Sequence, residues 1–187
     1  MHIFLTTERM VLRRFTVDDA DLLVELHNDP DVMSFISPGV NVTRDEIANE
    51  TLPAFLWYYD RSAGYGFWAA IEKATGEFLG WFHFRPHDGA DLHEPELGYR
   101  LHRRAWGHGF GTEGSRALID HGFEVLGVER VVAETMFVNT ASRRIMEKVG
   151  MHHVRTFHAD WPVRIPGDEH GDVEYAINRE EWTRDCP

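Results

Sequence analysis

The segment Arg103-Arg104-Ala105-Trp106-Gly107-His108-Gly109-Phe110-Gly111-Thr112 packs three glycines, two arginines and a histidine between a strand-like run and a helix-like one. Glycine lets a backbone turn so that several N–H groups point one way, and the following helix adds the positive end of its dipole. The segment therefore reads as a cradle for an anion. Arg103, Arg104 and His108 concentrate positive potential in a chain that is acidic overall, which suits a ligand bearing several phosphates. A mononucleotide P-loop is excluded, because GxxxxGK followed by Ser or Thr is absent. A dinucleotide reading stays open: Gly109, Gly111 and Gly114 spell GxGxxG, with Glu134 on a later strand-like run where a ribose-binding acid would belong. Against it, a run of strands precedes the loop, whereas a dinucleotide fold usually begins with that unit. An ordinary glycine-rich turn would cost conformational entropy with no ligand contact to offset it.

The elements that must position this loop follow from periodicity. Glu8 to Phe15 reads as a strand, and Thr16 with Asp19 as an approximate capping box for a helix whose apolar stripe is Leu22, Leu23 and Leu26. Thr43 with Glu46 opens a second helix, which Pro53 should break or kink. Tyr65 to Glu72, Phe78 to Arg85 and Leu92 to Leu101 read as an antiparallel meander, its first turn being Lys73-Ala74-Thr75-Gly76. Thr112 to Leu126 has helical spacing and closes at Gly127. A strand over Arg130 to Val138 precedes a helix opened by Asn139, with the face Ala141, Ile145 and Val149 and a stop at Gly150. Strands near His152 to His158 and Val173 to Asn178 finish the chain. This order implies a mixed sheet, part antiparallel and part parallel, in an α/β fold. Among the aromatics, Trp57, Tyr58, Tyr59, Trp68, Trp81 and Phe84 read as core more readily than as the lining of a substrate cleft.

Length and composition bound the rest. A chain of 187 residues, 43% hydrophobic, suits one domain over 1–187. No apolar run is long enough to span a bilayer and no secretory leader is visible, so the chain reads as cytoplasmic with no membrane partner. A net charge of −12 argues against nucleic acid and favours a cationic partner. Twelve histidines without HExxH, and the single Cys186, give no protein-ligated metal site.

Across nearly its whole length the sequence resembles the GNAT superfamily of N-acetyltransferases, and within it the ribosomal-protein N-terminal acetyltransferases. The resemblance rests on Arg9-Met10-Val11-Leu12-Arg13, Glu96-Leu97-Gly98-Tyr99-Arg100-Leu101, the Trp106 to Glu113 loop, and Asn139 through Gly150. It implies the acyl-CoA N-acyltransferase fold, a central twisted sheet flanked by helices, with acetyl-CoA as co-substrate and no metal. By that resemblance the amides of Gly107, His108, Gly109, Phe110, Gly111 and Thr112 hold the CoA pyrophosphate. The family's Arg or Gln of the loop falls on Arg104 in one register and on Trp106 in the other, which is the preferred one. The backbone near Tyr99 and Leu101, on a strand that splays from its neighbour, would pair with the pantetheine amides, and Asn139 would contact the cofactor arm, beside its plain role as a helix N-cap.

Acetyl transfer needs an amine freed of its proton, a stabilised oxyanion and a protonated thiolate. Glu96 is the candidate base, acting directly or through water, or else an attractor of the ammonium. The Tyr found in many relatives falls on Met146, which donates no proton, so Ser142 becomes the candidate acid, with support of the helix cap as its plain role. The expected acceptor is a protein N-terminus or a small cationic amine, and a homodimer is left open. A non-catalytic acyl-CoA-binding module and, further off, a nicotinamide oxidoreductase are the alternatives.

Overall fold

The computed structural model describes residues 2–61, 63–86, 91–159 and 164–182. Its framework is an eight-stranded sheet in the order β1-β2-β3-β4-β5-β6-β8-β7. The strands are β1 (Ile3–Thr6), β2 (Met10–Arg14), β3 (Gly66–Glu72), β4 (Phe78–Pro86), β5 (Pro95–Leu101), β6 (Arg130–Met136), β7 (His152–Phe157) and β8 (Asp172–Asn178). All pairings are antiparallel except β5 with β6. The mixed sheet is therefore the one the element order implied. β1 adds an edge strand that the sequence reading left out.

Helices cover both faces. On one side lie α1 (Ala20–His27), α2 (Arg44–Glu46) and α3 (Leu52–Trp57); on the other, α4 (Phe110–His121) and α5 (Thr140–Lys148). Two cores result. Phe15, Leu23, Leu26, Ile47, Leu52, Phe55 and Trp81 fill the first, and Phe82, Phe84, Leu97, Leu118, Ile119 and Phe123 belong to the second. β4 is buried along nearly all its length because it is sandwiched between both layers, so it reads as an almost continuous apolar run.

Several local expectations hold and a few change. Both capping boxes form, Thr16 with Asp19 and Thr43 with Glu46. Asp19 does more than cap, since Arg13 of β2 grips its carboxylate through two bonds of 2.7 Å. Pro53 neither ends nor breaks its helix. A π-turn over Ile47–Thr51 precedes it, with the Leu52 N–H reaching back to Ile47 O, and the widened turn gives the pyrrolidine ring room. In α5 the buried residues are Ser142 and Met146, followed by Val149, whereas Ala141 is exposed. The apolar face is thus turned by about one residue, because Met146 rather than Ile145 enters the core. Trp68, Trp81 and Phe84 are core residues, and Trp57 is half exposed.

Candidate active site

The loop after β5 is built to present amides. A 3-10 turn over Arg103–Ala105 leads to Trp106, after which Gly107 (φ +75°) and Gly109 (φ +84°) occupy the left-handed region. A Cβ on Gly107 would meet nothing within 4 Å, so this glycine is required by the turn and not by crowding. Gly109 is the N-cap of the twelve-residue α4, whose first-turn N–H groups have no helical partners. The loop is held from two sides. Trp106 Nε1 donates to Leu101 O at 2.9 Å. From the turn between β1 and β2, Arg9 donates through Nε to Glu113 Oε2 (2.7 Å), through its backbone N to Glu113 Oε1 (2.8 Å) and through Nη1 to His108 O (2.8 Å). Burial pushes the Glu113 carboxyl up, but the Thr7 and Arg9 donors outweigh it and hold it below its ordinary value. Arg104 is engaged elsewhere, donating to Phe78 O at 2.5 Å and pairing with Glu77 at 3.3 Å. A cleft of about 650 Å³ flanks the loop, lined by Asp31, Ser34, Phe35, Arg103, Arg104 and Trp106.

Next to the loop the sheet parts. β5 and β6 share one registered pair, Glu96 with Val132, and the stretch from Leu97 to Leu101 has no ladder partner on that side. The parallel strands diverge from Glu96 onward, leaving a backbone edge without a strand partner that runs from the loop, where Trp106 Nε1 donates to Leu101 O, to a carboxylate.

The two candidate catalytic side chains lie on opposite faces of β5. Alternation places Glu96, Gly98 and Arg100 on the side of α1 and α3, opposite Arg85, His83 and Trp81 of β4. Glu96 Oε2 accepts from Arg85 Nη2 at 2.8 Å, and Oε1 lies 3.7 Å from His83 Nε2. Burial, reinforced by Arg85 and Arg100, pushes the His83 pKa well down, so the ring is neutral. Neither of its nitrogens has a hydrogen-bond partner. Gly98 allows this arrangement, since a Cβ there would lie 2.5 Å from the His83 ring.

On the other face, the Tyr99 hydroxyl meets Ser142 twice, at 2.9 Å from Oγ and 3.1 Å from the carbonyl oxygen. Burial pushes the Tyr99 phenol well up, partly offset by the Ser142 bond, so it stays protonated. Asn139 caps α5: its Oδ1 accepts from Ser142 N at 3.2 Å, and its Nδ2 donates to Thr135 Oγ1 at 3.1 Å. Met146, only 2% exposed, is core. From sequence alone Tyr99 has only a backbone role, and nothing singles out His83, Arg85 or Arg100 as site residues. Period-two alternation in β4 and β5 is the signal that places those three on the same face of the sheet as Glu96.

Among the described residues no group of three or more His, Cys, Asp or Glu side chains could hold a metal ion, and no helix is long and apolar enough to cross a membrane.

Residues 9–152 match the acetyltransferase (GNAT) domain family. The chain is similar to the FsC-acetyl coenzyme A-N(2)-transacetylase of Aspergillus fumigatus, at 33% identity over 189 residues covering 96% of this chain and 78% of that protein. Among solved structures it resembles a GNAT-family acetyltransferase from Bacillus anthracis (26% identity, TM-score 0.73, 96% of this chain and 99% of that one). A spermidine N-acetyltransferase from Vibrio cholerae, crystallised with CoA and spermine, shares the fold at 12% identity and a TM-score of 0.73, over 92% of this chain and 97% of that one.

Proposed function

The chain belongs to the GNAT acetyltransferase family, and from that premise we propose that acetyl-CoA lies along the free edge of β5 while a cationic primary amine approaches Glu96 on the α1 and α3 side. The protein is an acetyl-CoA-dependent N-acetyltransferase. The observation that carries the proposed placement is the continuity of loop and edge: the Gly107 to Thr112 amides adjoin an unpaired strand edge that leads to a carboxylate. The residues fit an acyl-CoA, since positive-φ glycines and the start of α4 suit a pyrophosphate, and an unpaired strand edge suits amides that bond as an added strand.

In this reading the amides of Gly107, His108, Gly109, Phe110, Gly111 and Thr112 hold the diphosphate. Trp106 and Arg104 shape the flank of the loop, and the backbone of Tyr99 and Leu101 holds the arm. Asn139 acts through the α5 cap, placing Ser142. Bound acetyl-CoA supplies a thioester carbon open to attack by a neutral amine and a thiolate leaving group. Glu96 takes the ammonium proton, directly or through water, and Arg85 fixes the carboxylate for that task. A backbone N–H of β5 faces the oxygen that gains charge. As the C–S bond breaks, Ser142 donates its hydroxyl proton to the leaving sulfur and regains one, through water, from the proton that the newly acylated nitrogen sheds, while Tyr99 orients its hydroxyl. The domain works as a unit over residues 1–187.

The acceptor arrives as an ammonium. The net charge of −12 supports this, as does the name of the spermidine N-acetyltransferase that shares the fold. The test is release of free CoA thiol across a panel of amines, with products identified by mass spectrometry and acetyl-CoA binding followed by calorimetry. Release with an amine and a product 42 Da heavier supports the proposal; acetyl-CoA binding without release in any amine would leave the acyl-CoA-binding alternative.

A further inference from the structure

Arg100 is the unexplained charge of this site. It lies on the same face of β5 as Glu96, across from Trp81, with its guanidinium carbon 5.1 Å from the centre of the indole ring. No hydrogen-bond acceptor or carboxylate among the described residues meets it, and its Nε is sealed from solvent with no partner. The charged and titratable groups around it are His83 and His27, both driven neutral by burial with help from its own charge: His27 falls to about 3 and His83 well below its ordinary value. Burial lowers Arg100 itself to about 10, so it is still a cation at neutral pH. A guanidinium that is half-buried, with its Nε sealed and no counter-ion, is costly, and a fold rarely keeps one without a use. Arg85, the other arginine on this face, already has its carboxylate in Glu96.

We propose that Arg100 binds a carboxylate on the acceptor, so that the substrate is an amine that also bears a carboxylate group rather than a simple polyamine. The inference rests on the acceptor entering from the Glu96 side, as proposed above. Glu96 and Arg100 flank Gly98 on one strand face, each about 7 Å from it by the rise of a strand. The His83 ring fills the space over Gly98, so an amine held at Glu96 has an acceptor of protons beside it and, on the far side of that ring, a planar five-donor fork. The fork matches a carboxylate in two parallel bonds, and partial burial strengthens them. His83, nine-tenths buried with two unused ring nitrogens, offers one more donor and acceptor between them.

The experiment compares amino carboxylates with their carboxamides at physiological salt: lysine with lysinamide, ornithine with ornithinamide, and 4-aminobutyrate with its amide. Each is assayed with the wild-type protein, Arg100→Met and Arg100→Lys. The expected result is a wild-type preference for the carboxylate in kcat/KM that falls about 10- to 100-fold in Arg100→Met, with Arg100→Lys between them. Acetyl-CoA affinity should be unchanged, and the melting temperature of Arg100→Met equal to or above wild type, because an unpaired charge has been removed. A carboxylate-to-amide ratio untouched by Arg100→Met, a wild-type preference for amides or for diamines, or a loss of acetyl-CoA affinity overturns the assignment. If Arg100→Met does not fold, Arg100→Lys decides by the same ratio. If no amine is acetylated at all, the proposed site of transfer fails on its own; calorimetric binding of each pair to the CoA-loaded protein then decides the role of Arg100.

Discussion

At the scale of single residues, Glu96 and Gly109 bear the sharpest expectations. Glu96→Gln keeps the shape that accepts from Arg85 and removes only the charge. Its kcat should fall by on the order of 10² to 10⁴, with acetyl-CoA affinity unchanged. A kcat equal to wild type across the pH range would exclude Glu96 both as base and as an attractor of the ammonium. Gly109 has φ +84° at the N-cap of α4, and a Cβ there would come 3.3 Å from Arg9 Nη2. Gly109→Val therefore strains the backbone by roughly 1–2 kcal/mol and turns the loop amides out of line. We expect acetyl-CoA affinity to fall at least about tenfold, since each 1.4 kcal/mol is a factor of ten. A folded variant with wild-type affinity, judged by calorimetry beside a melting curve, would remove the loop from the binding site.

At the scale of elements, side-chain clamps fix the sheet to its helices. Arg13 of β2 and Asp19 at the start of α1 form a two-bond pair, and Asp19 also accepts from Thr16 N and its hydroxyl. Burial tends to raise the Asp19 carboxyl, yet Arg13 and the Thr16 donors together hold it below its ordinary 3.8. A depressed carboxyl contributes stability that is complete above the unfolded value and is lost as pH falls through the folded one. Asp19→Asn should consequently cost about 3 kcal/mol at pH 7, the usual price of breaking a largely buried pair. The difference from wild type should shrink once the pH drops below 3.8. Urea unfolding at pH 7 and pH 3 measures this; a difference that is independent of pH would mean that the charge on Asp19 is immaterial.

At the scale of the whole molecule, 31 acidic against 19 basic residues set a negative field around a site whose own walls carry Arg85 and Arg100. The two act at different ranges. The field draws an ammonium from a distance and is screened by salt, whereas Arg100 acts only at contact. For acceptors with net positive charge, kcat/KM should fall between low and physiological ionic strength. Stopped assays in sodium chloride from 10 to 150 mM check this (a Debye length of roughly 30 Å against 8 Å). A flat response would leave solubility as the only role of the acidity.

The sequence by itself determined the elements other than the edge strand β1, both capping boxes, the glycine loop at a helix start and the family, because these depend on local conformation and short spacings. Thr16 with Asp19, Gly109 before α4 and Gly127 after the π-turn Gly122–Leu126 that follows α4 all lie where their own backbone preferences put them. Only the tertiary structure decided what depends on a neighbour distant in the chain. Pro53 was tolerated because the preceding π-turn made room for it, and α5 buried Met146 in place of Ile145 because the α4 and β-sheet surface chose its face. Glu96 and Ser142 fell on opposite sides of one strand, a matter of side-chain parity that becomes visible only when β5 is paired with β4. The same pairing set Arg85 against Glu96 and left Arg100 over Trp81 without a counter-ion, since the charge a buried residue meets is fixed by strand register and by nothing in its own segment.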